Sequence, residues 1–267
     1  MVLYATGFNA WNQLQFETPG VDEPDDISSF TCVLQGDDDD CIRPFFSYTR
    51  AHDGKDTFNQ YPSINALLSN NDQPHRFSDF PNITQLVAYE AGFAALSSTG
   101  NVWTWGDERY TACLGREPTA SSPAERPGLV SDLDDLPTGP ITKIAAGGYV
   151  LAALTAGNDL YCWGHAGRST MLDDLSDDPN PVVIDDKDIL DVAVGESHML
   201  VLTTDAEVYV VGDNTNGQLG LPGTDSTTSW TRIDLASVLG AGETVTGVVA
   251  GPRNSFLIAQ RQSGECQ

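Results

Sequence analysis

ILDVAVGESHMLVLTTDAEVYVVG runs from Ile189 to Gly212. Two other segments align with it without a gap: ITQLVAYEAGFAALSSTGNVWTWG from Ile83 to Gly106, and ITKIAAGGYVLAALTAGNDLYCWG from Ile141 to Gly164. Each closes on a glycine 23 positions after its isoleucine. Matched slots keep their character, as in Leu86/Ile144/Val192, Leu96/Leu154/Leu202 and Trp103/Tyr161/Tyr209. Within a copy the hydrophobic period is two. Val102-Trp103-Thr104-Trp105 and Val208-Tyr209-Val210-Val211 are β-branched and aromatic, whereas Met199-Leu200-Val201-Leu202 is the continuous apolar run of a strand covered on both faces. Turn residues separate these runs at Thr99-Gly100, Gly157-Asn158 and Asp205-Ala206. A fourth short strand is expected after each proline-rich stretch, near Gly128–Val130, Pro181–Ile184 and Trp230–Ile233.

A fourth copy is divided between the ends of the chain. VTGVVAGPRNSFLIA, from Val245, fills the first fifteen slots, and Leu3-Tyr4-Ala5-Thr6-Gly7 matches Val102–Gly106. Complementary ends imply that the first and last strands share one sheet, which removes free edges. The copies open at Ile83, Ile141, Ile189 and Val245, 48 to 58 residues apart. This predicts an all-β chain forming one domain, 1–267: a propeller of about five blades of four antiparallel strands. Its units are 245–267 with 1–26, a degenerate 27–82, 83–140, 141–188 and 189–244. In the degenerate unit, strands are expected at Phe30–Leu34 and Pro44–Tyr48, and a helical turn or two at Ile64–Leu68.

Composition agrees and excludes other classes. The chain has 267 residues, 25 glycines and 15 prolines, fitting many short strands and turns. No apolar run reaches the length of a membrane helix. The start, Met1-Val2-Leu3-Tyr4, has no basic region leading an apolar stretch, so no secretory signal is expected and the sequon Asn82-Ile83-Thr84 reads as chance. The five cysteines are dispersed, without a C-x-x-C pair, which predicts reduced thiols and a cytoplasmic location, a nuclear one staying open. The net charge of −25 argues against nucleic acid and anionic membranes as partners and in favour of a basic surface.

The pattern V-x-x-G-x-x-H-x-x-x-L-T-x-D-x-x-V-Y-x-x-G-D-N-x-x-G-Q-L-G at Val192–Gly220 resembles the repeat of the regulator-of-chromosome-condensation (RCC1-like) family, and the whole chain is similar to that family's divergent fungal-type members. The resemblance implies an RCC1-like β-propeller, often of seven blades; five units would be a departure. It also implies a choice of functions. The family prototype is an exchange factor for the small GTPase Ran and binds nucleosomes, while other members are interaction platforms and one relative is a secreted β-lactamase inhibitor. The prototype's chromatin contacts would need basic loops or a basic tail, and this sequence has neither.

No nucleophile constellation, P-loop, H-E-x-x-H pair or calcium-loop spacing occurs, so no catalytic residue, metal ligand or cofactor is assigned. The acidic clusters at Asp37–Asp40, Asp132/Asp134/Asp135, Asp173/Asp174/Asp177/Asp178 and Asp185/Asp186/Asp188 read as solvated loops or as a docking surface for a basic partner. Trp103, Trp105 and Trp163 read as blade core, and the closing glycines as sites where backbone geometry demands glycine.

In an antiparallel four-stranded blade the first and third connections lie on one face. That face gathers Trp11, Glu108, Arg109, Tyr110, Tyr149, Arg168, Glu196, His198, Asn214 and Arg253 as candidate partner-binding residues, rich in the types that anchor interfaces. His198 has a second reading, as a histidine bonding backbone in a turn. The expectation is a non-enzymatic, monomeric interaction scaffold; the alternative is guanine-nucleotide exchange on a Ran-like small GTPase.

Overall fold

The computed structural model describes residues 2–9, 14, 25–35, 51–52, 58–60, 75–77, 82–165, 171–172 and 175–261. In chain order the strands are β1 Val2–Gly7, β2 Ile27–Gln35, β3 Ala51–His52, β4 Phe58–Gln60, β5 His75–Phe77, β6 Ile83–Tyr89, β7 Gly92–Ser97, β8 Val102–Gly106 and β9 Gly128–Leu129. They continue with β10 Ile141–Gly147, β11 Val150–Thr155, β12 Leu160–Gly164, β13 Asn180–Val182, β14 Ile189–Val194, β15 His198–Thr203, β16 Val208–Asp213, β17 Ser226–Arg232, β18 Glu243–Ala250 and β19 Asn254–Arg261.

Four sheets are four-stranded and antiparallel: β6-β7-β8-β9, β10-β11-β12-β13, β14-β15-β16-β17 and β18-β19-β1-β2. These are the first, second, third and closing blades. A three-stranded sheet, β3-β4-β5, makes a fifth. The closing blade joins the chain ends in the register the repeat requires. Leu3 faces Ile258 and Gly7 faces Asn254, as Val102 faces Leu96 and Gly106 faces Gly92 in the first blade.

One boundary differs from the sequence expectation. The strand around Phe30–Leu34 does not open a second unit. As β2 it pairs with β1 and forms the outer strand of the closing blade, so that blade extends to Gln35 rather than to 26. The cause is local: Thr6 Oγ1 lies 2.7 Å from the carbonyls of both Ile27 and Gly217, tying the start of β2 to β1 and to the third blade. The expected strand at Pro44–Tyr48 and turn at Ile64–Leu68 lie outside the described residues.

The continuous apolar runs are explained by what covers them. In β15, Met199 and Val201 point to a core shared with the second blade, while Leu200 and Leu202 point to a core shared with the closing blade. In β11, Val150, Ala152 and Leu154 face the third blade; Leu151 and Ala153 face the first. Alternation persists, but both sides are dry, so both sets are apolar. Each buried leucine or valine contributes about 2 kcal/mol. Trp105 and Trp163 are buried in this core and Trp103 is half-buried against it.

The first strands of successive blades touch each other and so lie nearest the axis. All four carry a register irregularity at the same slot: between Ile83 and Gln85, Ile141 and Lys143, Ile189 and Asp191, Val245 and Gly247. A bulge re-aims the side chain, here toward the next blade. Gln85 Oε1 accepts from Ile144 N at 2.8 Å, Asp191 Oδ2 accepts from Val248 N at 3.0 Å, and Lys143 pairs with Asp191. Three polar residues at one slot of the first strands thus link blade to blade near the axis.

Candidate protein-binding face

The hairpin tips between first and second strands and the long connections after the third strands do share one face, and a single backbone contact holds each pair together. Asp107 N donates to Ala91 O at 2.8 Å, His165 N to Tyr149 O at 3.0 Å, Asp213 N to Ser197 O at 2.8 Å, and Phe8 N to Arg253 O at 2.9 Å. These same carbonyls explain the closing glycines. A Cβ would come to 2.1 Å from Ala91 O at Gly106, 2.1 Å from Tyr149 O at Gly164, 2.3 Å from Ser197 O at Gly212 and 2.4 Å from Arg253 O at Gly7. Gly7, Gly164 and Gly212 also have φ of +114°, +134° and +114°, where side chains are strained. Neighbouring tips are bonded as well, Glu90 N to Gly148 O at 2.8 Å and Glu196 N to Pro252 O at 3.1 Å. Because backbone does this work, the side chains on the face are released from holding the loops.

The loops are anchored from below. Leu14, Leu114 and Leu219, within the matching connections, are buried. Asn214 accepts from Leu219 N through Oδ1 at 2.7 Å and donates through Nδ2 to Leu221 O and Thr224 O. Asn9 Oδ1 accepts from Leu14 N at 3.0 Å in the same way.

Across the junction of the first and second blades these supports bring an aromatic cluster to the surface. Tyr110 and Tyr149 stack with ring centroids 4.9 Å apart, and His165 meets both edge-on at 6.5 Å. Both tyrosines are half-buried and His165 is exposed. Hydrogen bonding with the Tyr110 hydroxyl, then burial and the nearby Glu90 charge, raise the Tyr149 phenol above its ordinary range. Arg109 lies 5.8 Å from the Tyr110 ring centroid, and its guanidinium grips Asp107 at 2.5 Å. That contact holds the Asp107 carboxyl at about 2. Glu108 and Glu90 are exposed beside them; on the third and closing blades, exposed Glu196 and Arg253 pair at 3.3 Å.

Two sequence candidates are corrected. His198 is buried, not on the face. Its Nε2–H donates to Ser255 Oγ at 2.8 Å, and that hydroxyl donates to Gln218 O at 2.7 Å, so the histidine locks the third blade to the closing blade. Burial drives its pKa down to about 4, keeping it neutral. Asn214 is likewise buried and serves its loop. Slot identity could not separate these from surface residues, because the loop covers them only once blades pack. Trp11 and Arg168 lie outside the described residues. The inter-blade residues Gln85, Lys143 and Asp191 were missed, although polar residues at one slot of the first strands were a visible signal. Among the described residues, no group of three or more His, Cys, Asp and Glu converges in a metal-like arrangement.

Comparison with known proteins places this geometry. A family model described as "Regulator of chromosome condensation (RCC1) repeat" matches residues 189–218. The human E3 ubiquitin-protein ligase HERC2 is 33% identical over 177 residues, 64% of this chain but 3% of that protein. The mouse regulator of chromosome condensation is 30% identical over 148 residues, 52% of this chain and 34% of that protein. Among solved structures, Prp20p of Saccharomyces cerevisiae superposes with a TM-score of 0.58 at 16% identity, over 79% of this chain and 55% of the other. The chain therefore spans well under two thirds of each of these relatives. The repeat match, these relatives and the propeller architecture agree: residues 189–218 match an RCC1 repeat, and the chain as a whole is similar to RCC1-like propellers.

Proposed function

We propose that the protein is a non-enzymatic interaction scaffold that binds a protein partner through the face carrying the hairpin tips and long connections. The observation that carries this reading is the division of labour on that face. Backbone bonds repeated in all four blades fix the loops, leaving Tyr110, Tyr149, Arg109, Glu108, Glu196 and Arg253 exposed or half-exposed on a rigid support. Aromatics and arginine on a preorganised surface favour protein contact. Net charge of −25 favours a basic partner and disfavours nucleic acid. The HERC2 match covers 3% of that protein, and ligase chemistry is not carried over with it.

A second reading, guanine-nucleotide exchange on a Ran-like GTPase, is supported by the likeness to Prp20p, which binds Gsp1p and histones. One pair of measurements separates the two. Affinity capture with the parent chain, compared with a Tyr110→Ala/Tyr149→Ala variant, reads whether the face binds protein. Nucleotide release from a purified Ran-type GTPase reads exchange. The scaffold reading expects a partner lost with the variant and a release rate unchanged by the protein. Accelerated release would replace it with the exchange reading; a partner retained by the variant would move the site.

A further inference from the structure

We infer that the Tyr110–Tyr149–His165 cluster is a receptor for one arginine side chain, presented by a basic segment of the partner. The inference rests on the protein-binding reading above and names what that face takes.

The rings supply the first half of the argument. Two stacked phenols with an imidazole at their edge present π faces and two adjacent hydroxyls at a half-open surface. Such faces attract a guanidinium, which stacks and is only weakly hydrated. A resident arginine already uses this chemistry, Arg109 beside Tyr110.

Charge supplies the second half. Four charged groups matter here, Asp107, Arg109, Glu108 and Glu90, and they do not cancel. Arg109 is spent on Asp107, which takes the guanidinium through both Nε and Nη2. Glu108, next in the chain, is exposed and has no ion-pair partner among the described residues. Glu90 has none either, and its amide donates to Gly148 O, the carbonyl just before Tyr149, which seats this carboxylate beside the ring. The cluster is therefore flanked by two carboxylates that have no ion-pair partner among the described residues. At the third and closing blades the comparable carboxylate, Glu196, is already answered by Arg253. Among the described residues, no cation answers these two carboxylates as Arg253 answers Glu196, so the complementary occupant is a cation from the partner.

The geometry is built by the fold rather than by the loops alone. Tyr110 sits in the short 3-10 helix Glu108–Leu114, whose Cys113 carbonyl accepts from Trp163 Nε1 at 3.2 Å and whose Cys113 thiol reaches Tyr149 O at 3.3 Å. The two stacking residues thus come from different blades but are fastened to one buried seam.

The probe is a fluorescein-labelled hexapeptide of alternating arginine and glycine, with the lysine and glutamate counterparts, titrated by anisotropy at 150 mM salt. The parent chain is expected to bind the arginine peptide several-fold more tightly than the lysine peptide. Glu90→Gln/Glu108→Gln and Tyr149→Leu should each weaken arginine binding about tenfold, and Tyr149→Phe should keep most of it. The control Asp132→Asn/Asp135→Asn removes the same charge from the opposite face and should change affinity less than twofold. Equal loss in the control, or no preference for arginine over lysine, overturns the inference in favour of diffuse attraction. If capture shows a partner lost with the tyrosine variant while the arginine peptide ignores these substitutions, the face reading stands and the arginine occupant falls.

Discussion

The two faces of the propeller solve the same problem by different means. On the face opposite the candidate site, the turns between second and third strands are closed by backbone bonds and, in addition, by a side-chain hydroxyl. Ser97 Oγ, Thr155 Oγ1 and Thr203 Oγ1 accept from the amides of Asn101, Asp159 and Glu207 at 3.0–3.1 Å. The carbonyl of each hydroxyl residue also accepts from Gly100, Asn158 or Ala206, all at positive φ. Those slots cannot vary freely, because removing the hydroxyl leaves one amide of the turn without its acceptor. On the binding face, backbone alone closes each loop onto its tip, at the cost of a glycine. Specificity can then accumulate in the exposed side chains of that face, such as Glu90 and Glu108.

The largest effect should come from that glycine. Gly212→Val sets a Cβ 2.3 Å from Ser197 O in a backbone of φ +114°. It should destabilise by about 3 kcal/mol or more, whereas Gly247→Ala, whose Cβ meets nothing nearer than 3.5 Å, should stay within about 1 kcal/mol. Thermal melts ranking the two equally would break the account of the binding face.

Next in size is a pH effect beneath it. His198 is neutral and buried, with a pKa of about 4 against an ordinary 6.5. The unfolded chain therefore takes up this proton first as pH falls. The stability it confers is complete above about pH 6.5 and is lost between pH 6.5 and 4, on the order of 3 kcal/mol at most. His198→Asn, which copies the closing blade's Asn254, should be less stable at pH 7 but flatter across that window. Parallel pH profiles in the two proteins would remove the histidine from the blade junction.

The comparison of faces is sharpened by a pair of substitutions. Thr203→Val should cost about 1 kcal/mol, because the Glu207 amide loses its acceptor. Arg109→Ala, on the binding face, should have a smaller effect on stability than Thr203→Val, since its exposed ion pair with Asp107 is a surface contact. The smallest effect is a gain. Ala206 sits at φ +64°, where its counterparts are Gly100 and Asn158. Ala206→Gly should stabilise by about 0.5 kcal/mol as left-handed strain is released.

Much of this was legible in the sequence, where period-two patterns and a fixed 23-position spacing recur. The matching of Leu3–Gly7 to Val102–Gly106 placed β1 against β19 in the observed register, because central strands are marked by cores on both faces. The outer strands carry no such mark. β2 pairs along one edge only, and most of its described positions are exposed, so ISSFTCVLQ offered no slot to align and was put in the wrong blade. Topology gathered Tyr110 and Tyr149 on one face, but their stacking depends on how the first and second blades pack. The burial of His198 and the bridging by Asp191 depend on inter-blade distances in the same way, and no single repeat encodes those.

The central claim is that partner contact belongs to one face and structural duty to the other. A photo-crosslinking amino acid placed at Glu108 in one sample and at Thr99 in another, each exposed and on opposite faces, tests it most directly. With partner captured from the native source, the account expects a crosslinked adduct from position 108 that is lost on adding Tyr110→Ala/Tyr149→Ala, and none from position 99. An adduct from position 99 alone would contradict it.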